Sequence, residues 1–208
     1  MPDTATNVAI CGVILAGGRG RRLGGRDKGL ITVQGHPLVE HVIAALAPQV
    51  NGIVINANRN RSLYERYGYP VVDDLLPDYP GPLAGILAGL HHVRGDIVVV
   101  PCDALSLPPD LVVRLRQALA QEKADVSIAH DGERLQPLYA LLKRTLNVSL
   151  ERHLRQGRYK VEDWMREQRF AIADFSDAPQ GFSNLNTVED LQTLDSSDIE
   201  VRPGPGRP

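Results

Sequence analysis

The chain has 208 residues, 43% of them hydrophobic, which is enough for one substantial core and hardly enough for two. With 23 basic against 25 acidic residues and a formal charge of −2, it lacks the overall basic excess of a general nucleic-acid binder. Its two cysteines, Cys11 and Cys102, both lie in apolar runs, so they read as small buried hydrophobes, not as a disulfide framework or a zinc site.

The first element is an apolar run from Val8 to Leu15 with little polar alternation, as in a strand covered on both faces. It empties into glycines (Gly17, Gly18, Gly20, Gly24, Gly25) and cations (Arg19, Arg21, Arg22, Arg26, Lys28). Glycines let backbone N–H groups approach an anion and the cations supply charge, so this loop is a candidate triphosphate site. A solvated surface or a nucleic-acid patch is the alternative. The spacing fits neither familiar phosphate loop: position 23, where a dinucleotide fingerprint needs glycine, is Leu23, and no Gly-Lys-Ser/Thr follows.

Gly35-His36-Pro37 introduces a helix with Pro37 in its first turn and Leu38, Val42, Ala45 and Leu46 on one face; His36 and His41 have no metal-like partner. A strand at 52–56, a helix around 62–67 and a strand at 70–72 follow, the last ending in Asp73-Asp74. Pro80 to Leu90 is a rigid turn and a helix with little side-chain bulk at Ala84, Gly85, Ala88 and Gly89; close packing on a sheet is the preferred reading of Gly89. Asp96 to Asp103 is the most strand-like run, and it delivers a carboxylate at its carboxyl end. Pro108 and Pro109 open the next helix, and strands near 124–129 and 135–142 flank a hairpin turn at Asp131 to Arg134. Helices about Leu146 to Leu154 and 161–168, with Trp164 as a packing residue, precede a strand at 170–175. Thr187 and Asp190 look like the cap of a short last helix, after Asn184 and Asn186. The expected fold is a three-layer α/β/α sandwich with a mostly parallel sheet and one antiparallel excursion, formed by residues 1–194 as a single domain, with 195–208 as a disordered tail.

Polar residues stand just past strands at Asn56, Asp74 and Asp103, where open α/β sheets bind ligands. A glycine loop, cations and strand-end carboxylates suit nucleotidyl transfer, whose demands are charge neutralisation and in-line alignment. Lys28 and Arg22 would hold phosphates and Asp103 a Mg²⁺ ion, which takes few carboxylates beside phosphate oxygens and water. No histidine stands at the end of the motif strands, and no general base is obvious. A phosphate-monoester acceptor, with a second pKa of about 6, needs none.

Leu15-Ala-Gly-Gly18, Arg22-Leu-Gly24 and Asp27-Lys28 resemble the signature of the molybdenum cofactor guanylyltransferases. So, in the same order, do Gly35-x-Pro37-Leu38, Asn56-Ala-Asn58, Asp74, Tyr79 to Gly85, Pro101-Cys-Asp103, Asp131-Gly132, Gln136-Pro137 and Asn184-x-Asn186-Thr187. The resemblance runs from about Val8 to Leu194 and implies a Rossmann-like nucleotidyltransferase sheet, GTP and molybdopterin (or molybdenum cofactor) as substrates, Mg²⁺ as cofactor, and a guanine dinucleotide product. It implies that Leu15, Ala16, Gly17, Gly18, Lys28, Asn56 and Asp74 contact GTP, that Asp103 contacts nucleotide and metal, and that Gly81, Gly85, Lys160, Asn184 and Asn186 line the acceptor side. Asp74 makes chemical sense as a guanine reader, because a carboxylate accepts from N1–H and N2–H₂ together. Leu23 replaces a usual methionine, and Lys160 replaces a common arginine with a single-point cation.

A cytidylyltransferase of the same pathway is the closest rival, though two glycines after Leu15-Ala16 look like the guanine form. A sugar-1-phosphate nucleotidyltransferase and a non-catalytic GTP-binding adaptor for molybdopterin are further alternatives. Transient contacts with recipient molybdoenzymes and cofactor-delivery proteins go with the family resemblance. No nucleic-acid or membrane partner is expected, since no apolar run nears the roughly 18 residues of a span and residues 1–7 do not read as a signal peptide, so a cytoplasmic location is expected.

Overall fold

The computed structural model describes residues 8–18, 25–76 and 81–184. Arg22, Asn186, the Thr187 cap, the turn at 79–80 and the tail expected at 195–208 lie outside these residues.

Seven strands form one sheet: β1 (Ile10–Leu15), β4 (Gly52–Asn56), β5 (Val71–Val72), β6 (Asp96–Pro101), β7 (Val126–His130), β8 (Leu135–Leu142) and β9 (Phe170–Asp174). Their order is β5-β4-β1-β6-β8-β7-β9. All pairings are parallel except those of β8, which runs against both β6 and β7. The antiparallel excursion is therefore the expected hairpin, inserted as one reversed strand in the middle of the sheet.

Side chains alternate across the pleat and give each face its own core. Ile10 and Ile14 of β1 and Val98 and Val100 of β6 face α1 (Leu38–Leu46), α2 (Arg61–Tyr64) and α4 (Leu111–Gln121). Val13, Ile97 and Val99 face α3 (Pro82–His92), α5 (Asn147–Arg155) and α6 (Val161–Arg166). This is the three-layer sandwich. Trp164 is fully buried in the second core, as a packing residue. Gly89 lets α3 lie on β1: a Cβ there would stand 2.8 Å from Val13 Cγ2.

Two boundaries differ from the sequence expectation. Residues 32–37 form a small antiparallel ribbon, β2 (Thr32–Val33) with β3 (His36–Pro37), before α1 begins. Its turn residues Gln34 and Gly35 have φ of 51° and 82°, the left-handed pair of a two-residue hairpin. Pro37 is thus the residue before the helix, not part of its first turn. Likewise Pro108 and Pro109 stand in a turn ahead of α4, closed by Leu111 N–H on the Pro108 carbonyl at 3.1 Å. His36 Nδ1 lies 2.9 Å from Glu40 and His41 Nε2 3.1 Å from the Val33 carbonyl, local partners consistent with turn and surface roles. No helix among the described residues is long and apolar enough to cross a membrane.

Candidate active site

The register brings the ends of four strands level. Leu15 pairs with Asn56 and with Pro101, and Asn56 with Val72. The segments that follow, Ala16 to Gly18, Ala57 to Asn60, Asp73-Asp74 and Cys102-Asp103, therefore share the carboxyl edge of the parallel half. This is the crevice in which open α/β sheets hold ligands.

At one end of the edge is an ion pair. Lys28 Nζ lies 2.7 Å from Asp103 Oδ2, with the carboxylate side chain 12% exposed and the lysine 27%. The cation comes from the end of the glycine loop and the anion from the end of β6. Their meeting brings together two residues 75 positions apart. Cys102, buried just before Asp103, has its thiol pushed up by burial above all, then by the neighbouring carboxylates of Asp103 and Asp27, against the pull of Lys28.

At the other end Asp74 is held by two amides. Asn56 Nδ2 donates to Oδ1 at 2.9 Å and Asn58 Nδ2 to Oδ2 at 2.7 Å, while Asn58 Oδ1 accepts the Asp74 N–H at 2.8 Å. Burial pushes the Asp74 carboxyl above its usual value and the two amide hydrogen bonds pull it back. Each carboxylate oxygen has two lone pairs, so capacity remains for an incoming donor. Gly17 sits under this group: a Cβ on it would meet Asn58 Nδ2 at 2.8 Å and Asn56 Oδ1 at 3.1 Å. Ala16 is buried, its N–H on the Asn56 carbonyl at 2.8 Å, and Gly18 is exposed with open space where a Cβ would point. Asn58 completes the clamp although it had no role assigned from sequence beyond its place in a motif.

The remaining expected residues divide. Gly85 of α3 is buried; a Cβ there would lie 2.2 Å from Asn56 Oδ1, so this glycine makes room for the amide that holds Asp74. Gly81 is exposed at the start of α3 with φ of 93°, and the Tyr159 carbonyl lies 3.9 Å from its Cβ position, which brings Lys160, exposed just before α6, to the same rim. Asn184 pairs as a bridge with Ala104, and the Leu105 N–H reaches the Ser183 carbonyl at 3.0 Å, so the chain returns beside Asp103. The buried Tyr139 hydroxyl donates to Asn184 Oδ1. Tyr139 carried no sequence signal, since an aromatic residue in an apolar strand reads as core.

Among the described residues no group of three or more His, Cys, Asp or Glu could cage a metal. A single edge carboxylate, Asp103, is nevertheless a donor set that Mg²⁺ accepts when substrate phosphates and water complete its octahedron.

The MobA-like NTP transferase domain matches residues 12–171. Fold and edge together define a nucleotidyltransferase. The molybdenum cofactor guanylyltransferase of Photobacterium profundum is 48% identical over 181 residues, 86% of this chain and 92% of that protein. That of Shewanella sp. (strain MR-4) is 44% identical over 189 residues, 90% and 96% of the two chains. The crystal structure of molybdopterin-guanine dinucleotide biosynthesis protein A from Archaeoglobus fulgidus superposes with a TM-score of 0.76 at 25% identity, covering 89% of this chain and 97% of that one. The chain belongs to the molybdenum cofactor guanylyltransferase family.

Proposed function

We propose that the protein transfers GMP from GTP to the terminal phosphate of molybdopterin. An acceptor phosphate oxygen attacks the α-phosphorus, the bond from that phosphorus to the bridging oxygen breaks, and pyrophosphate leaves with the electron pair. The observation that carries this reading is the spacing of two differently prepared carboxylates along one strand edge: Asp103 against a lysine and Asp74 against two amides. The first end suits phosphates and a metal, the second a base with adjacent N–H donors. Mg²⁺ held on Asp103 would neutralise phosphate charge. Lys28, with Arg22, holds the phosphates; Leu15 to Gly18 let the nucleotide lie close to the backbone; Asp74 reads guanine N1–H and N2–H₂. Gly81, Lys160 and Asn184, with Asn186, receive the acceptor, and Gly85 acts through Asn56. The phosphate nucleophile is already ionised near neutral pH, so the reaction asks for no general base from the protein.

The test is transfer of label from α-labelled GTP, and in parallel from α-labelled CTP, onto molybdopterin with Mg²⁺ present and absent. Product from GTP alone, dependent on Mg²⁺, is expected. Product from CTP would overturn the role of Asp74, and none from either nucleotide with an intact acceptor would favour a GTP-binding adaptor.

A further inference from the structure

Lys28 is placed by more than its own side chain. The preceding backbone is gripped by a segment 33 or more residues further along: Arg59 donates through Nη1 to the Gly25 carbonyl at 2.8 Å and through Nη2 to the Arg26 carbonyl at 3.0 Å. The next residue, Asp27, is 9% exposed, and its oxygens receive the Tyr64 hydroxyl at 2.6 Å and Asn60 Nδ2 at 2.9 Å. Burial, above all, pushes the Tyr64 hydroxyl up, so it remains a donor. Gly29 leaves the space this needs, since a Cβ there would stand 2.5 Å from the Tyr64 oxygen. Asn60 reaches Asp27 from a left-handed backbone with φ of 53°, a conformation asparagine tolerates better than most residues.

Arg59 meets Asp27 only at the outer limit of an ion pair. Its Nε is 4.0 Å from Asp27 Oδ2, is buried, and has no hydrogen-bond partner among the described residues. Its fork is aimed at two consecutive backbone carbonyls instead. Immediately after them the Leu30 N–H closes on the Asp27 carbonyl and the Ile31 N–H on the Lys28 carbonyl, each at 3.1 Å. Backbone on both sides of Lys28 is thus fixed, and its side chain leaves from a rigid base toward Asp103.

We propose that Arg59 is a positioning residue for the transfer reaction: by pinning the end of the glycine loop at Gly25 and Arg26 it sets where the Lys28 ammonium stands. This rests on the reading of Lys28 as the cation that holds the phosphates. The same short segment also carries Asn58, which holds Asp74, so a single run of chain indexes both ends of the edge.

The experiment compares transfer from GTP by the wild type, Lys28→Ala, Arg59→Ala, Arg59→Lys and the Arg59→Ala/Lys28→Ala double variant, with unfolding midpoints measured on each. Arg59→Ala is expected to lower kcat by about a hundredfold, the scale of a displaced positioning group, with a smaller change in KM for GTP. Added to Lys28→Ala it is expected to cost less than about threefold, because residues acting as one unit are not additive. Arg59→Lys, which keeps the charge and loses the fork, is expected to fall with Arg59→Ala, and it carries the test if the alanine variant does not fold. Full additivity, or wild-type rates from Arg59→Lys, would overturn the proposal, since Arg59 would then act apart from Lys28 or as a charge, on the nucleotide or on Asp27, and not through its fork. Wild-type rates from Lys28→Ala would remove the underlying reading of Lys28 and the proposal with it, whereas a slow Lys28→Ala beside a fully active Arg59→Ala would remove the proposal alone.

Discussion

The two ends of the strand edge solve the same problem differently. Asp103 and Asp74 are both carboxylates drawn out of water just past a parallel strand, yet one is compensated by a charge, Lys28, and the other by neutral amides, Asn56 and Asn58. An ion pair can exchange its partner for a stronger ion, which is what the proposed function asks of that end when phosphates and a cation arrive. An amide clamp has no charge to exchange. It holds the carboxylate in place through two donors, one on each oxygen.

The sharpest way to break the comparison is Asp103→Asn. It removes the carboxylate that pairs with Lys28 and that is proposed to hold the metal, and turnover should fall by about 10² or more while GTP binding, measured separately, largely persists. An unchanged rate would take Asp103 out of the chemistry. Asp74→Asn should act on choice instead of rate: losing charge-assisted hydrogen bonds of about 1.5–3 kcal/mol should reduce the preference for GTP over CTP by roughly tenfold to a hundredfold. The same loss should be reached in the wild type by acid. A carboxyl whose folded value is raised takes up its proton at a higher pH than an ordinary one, so the GTP to CTP ratio should drop as pH falls through that raised value, and should recover above it. Taking the ratio cancels the titration of the phosphates, which both nucleotides share. A ratio flat with pH would place the base reader elsewhere.

The smallest effect should come from Gly85→Ala. Alanine favours a helix interior over glycine by about 1 kcal/mol, while a Cβ 2.2 Å from Asn56 Oδ1 overpacks the site at about 1–3 kcal/mol. Stability should therefore fall by at most about 2 kcal/mol. The displaced Asn56 amide should nonetheless loosen Asp74 and blunt guanine preference, without the rate loss of Asp103→Asn. A variant with wild-type selectivity would show that the clamp does not need Asn56 in its present place.

Much of this was legible in the sequence because it is periodic or because it ends a strand. The runs at Ile10–Leu15 and Asp96–Pro101, the hairpin around Asp131, and the small-residue helix from Pro82 all carry patterns a few residues wide, and Asn56, Asp74 and Asp103 follow strands directly. The β2–β3 ribbon was not legible, since two-residue strands are too short to alternate. Neither were the grips of Arg59, Asn60 and Tyr64 on residues 25–27, because polar side chains after a strand look like ordinary loop chemistry until folding closes a separation of 33 to 37 residues. Nor did the sequence show that Gly85 leaves room for the Asn56 amide, whose Oδ1 would stand 2.2 Å from a Cβ there.

The sheet order has one more consequence. From β1, the third of the seven strands in the sheet, the chain first builds outward through β4 and β5, then returns to β6 and builds the opposite flank through β8, β7 and β9. The clamp on Asp74 and the grip on the glycine loop come wholly from the first flank, and Asn184 and Lys160 from segments of the second, with Asp103 standing at the seam. Under the proposed function such a layout separates heritable tasks along the gene: apart from Gly81, the residues assigned to the acceptor lie after Asp96 and those assigned to the purine before it, and the seam must suit both.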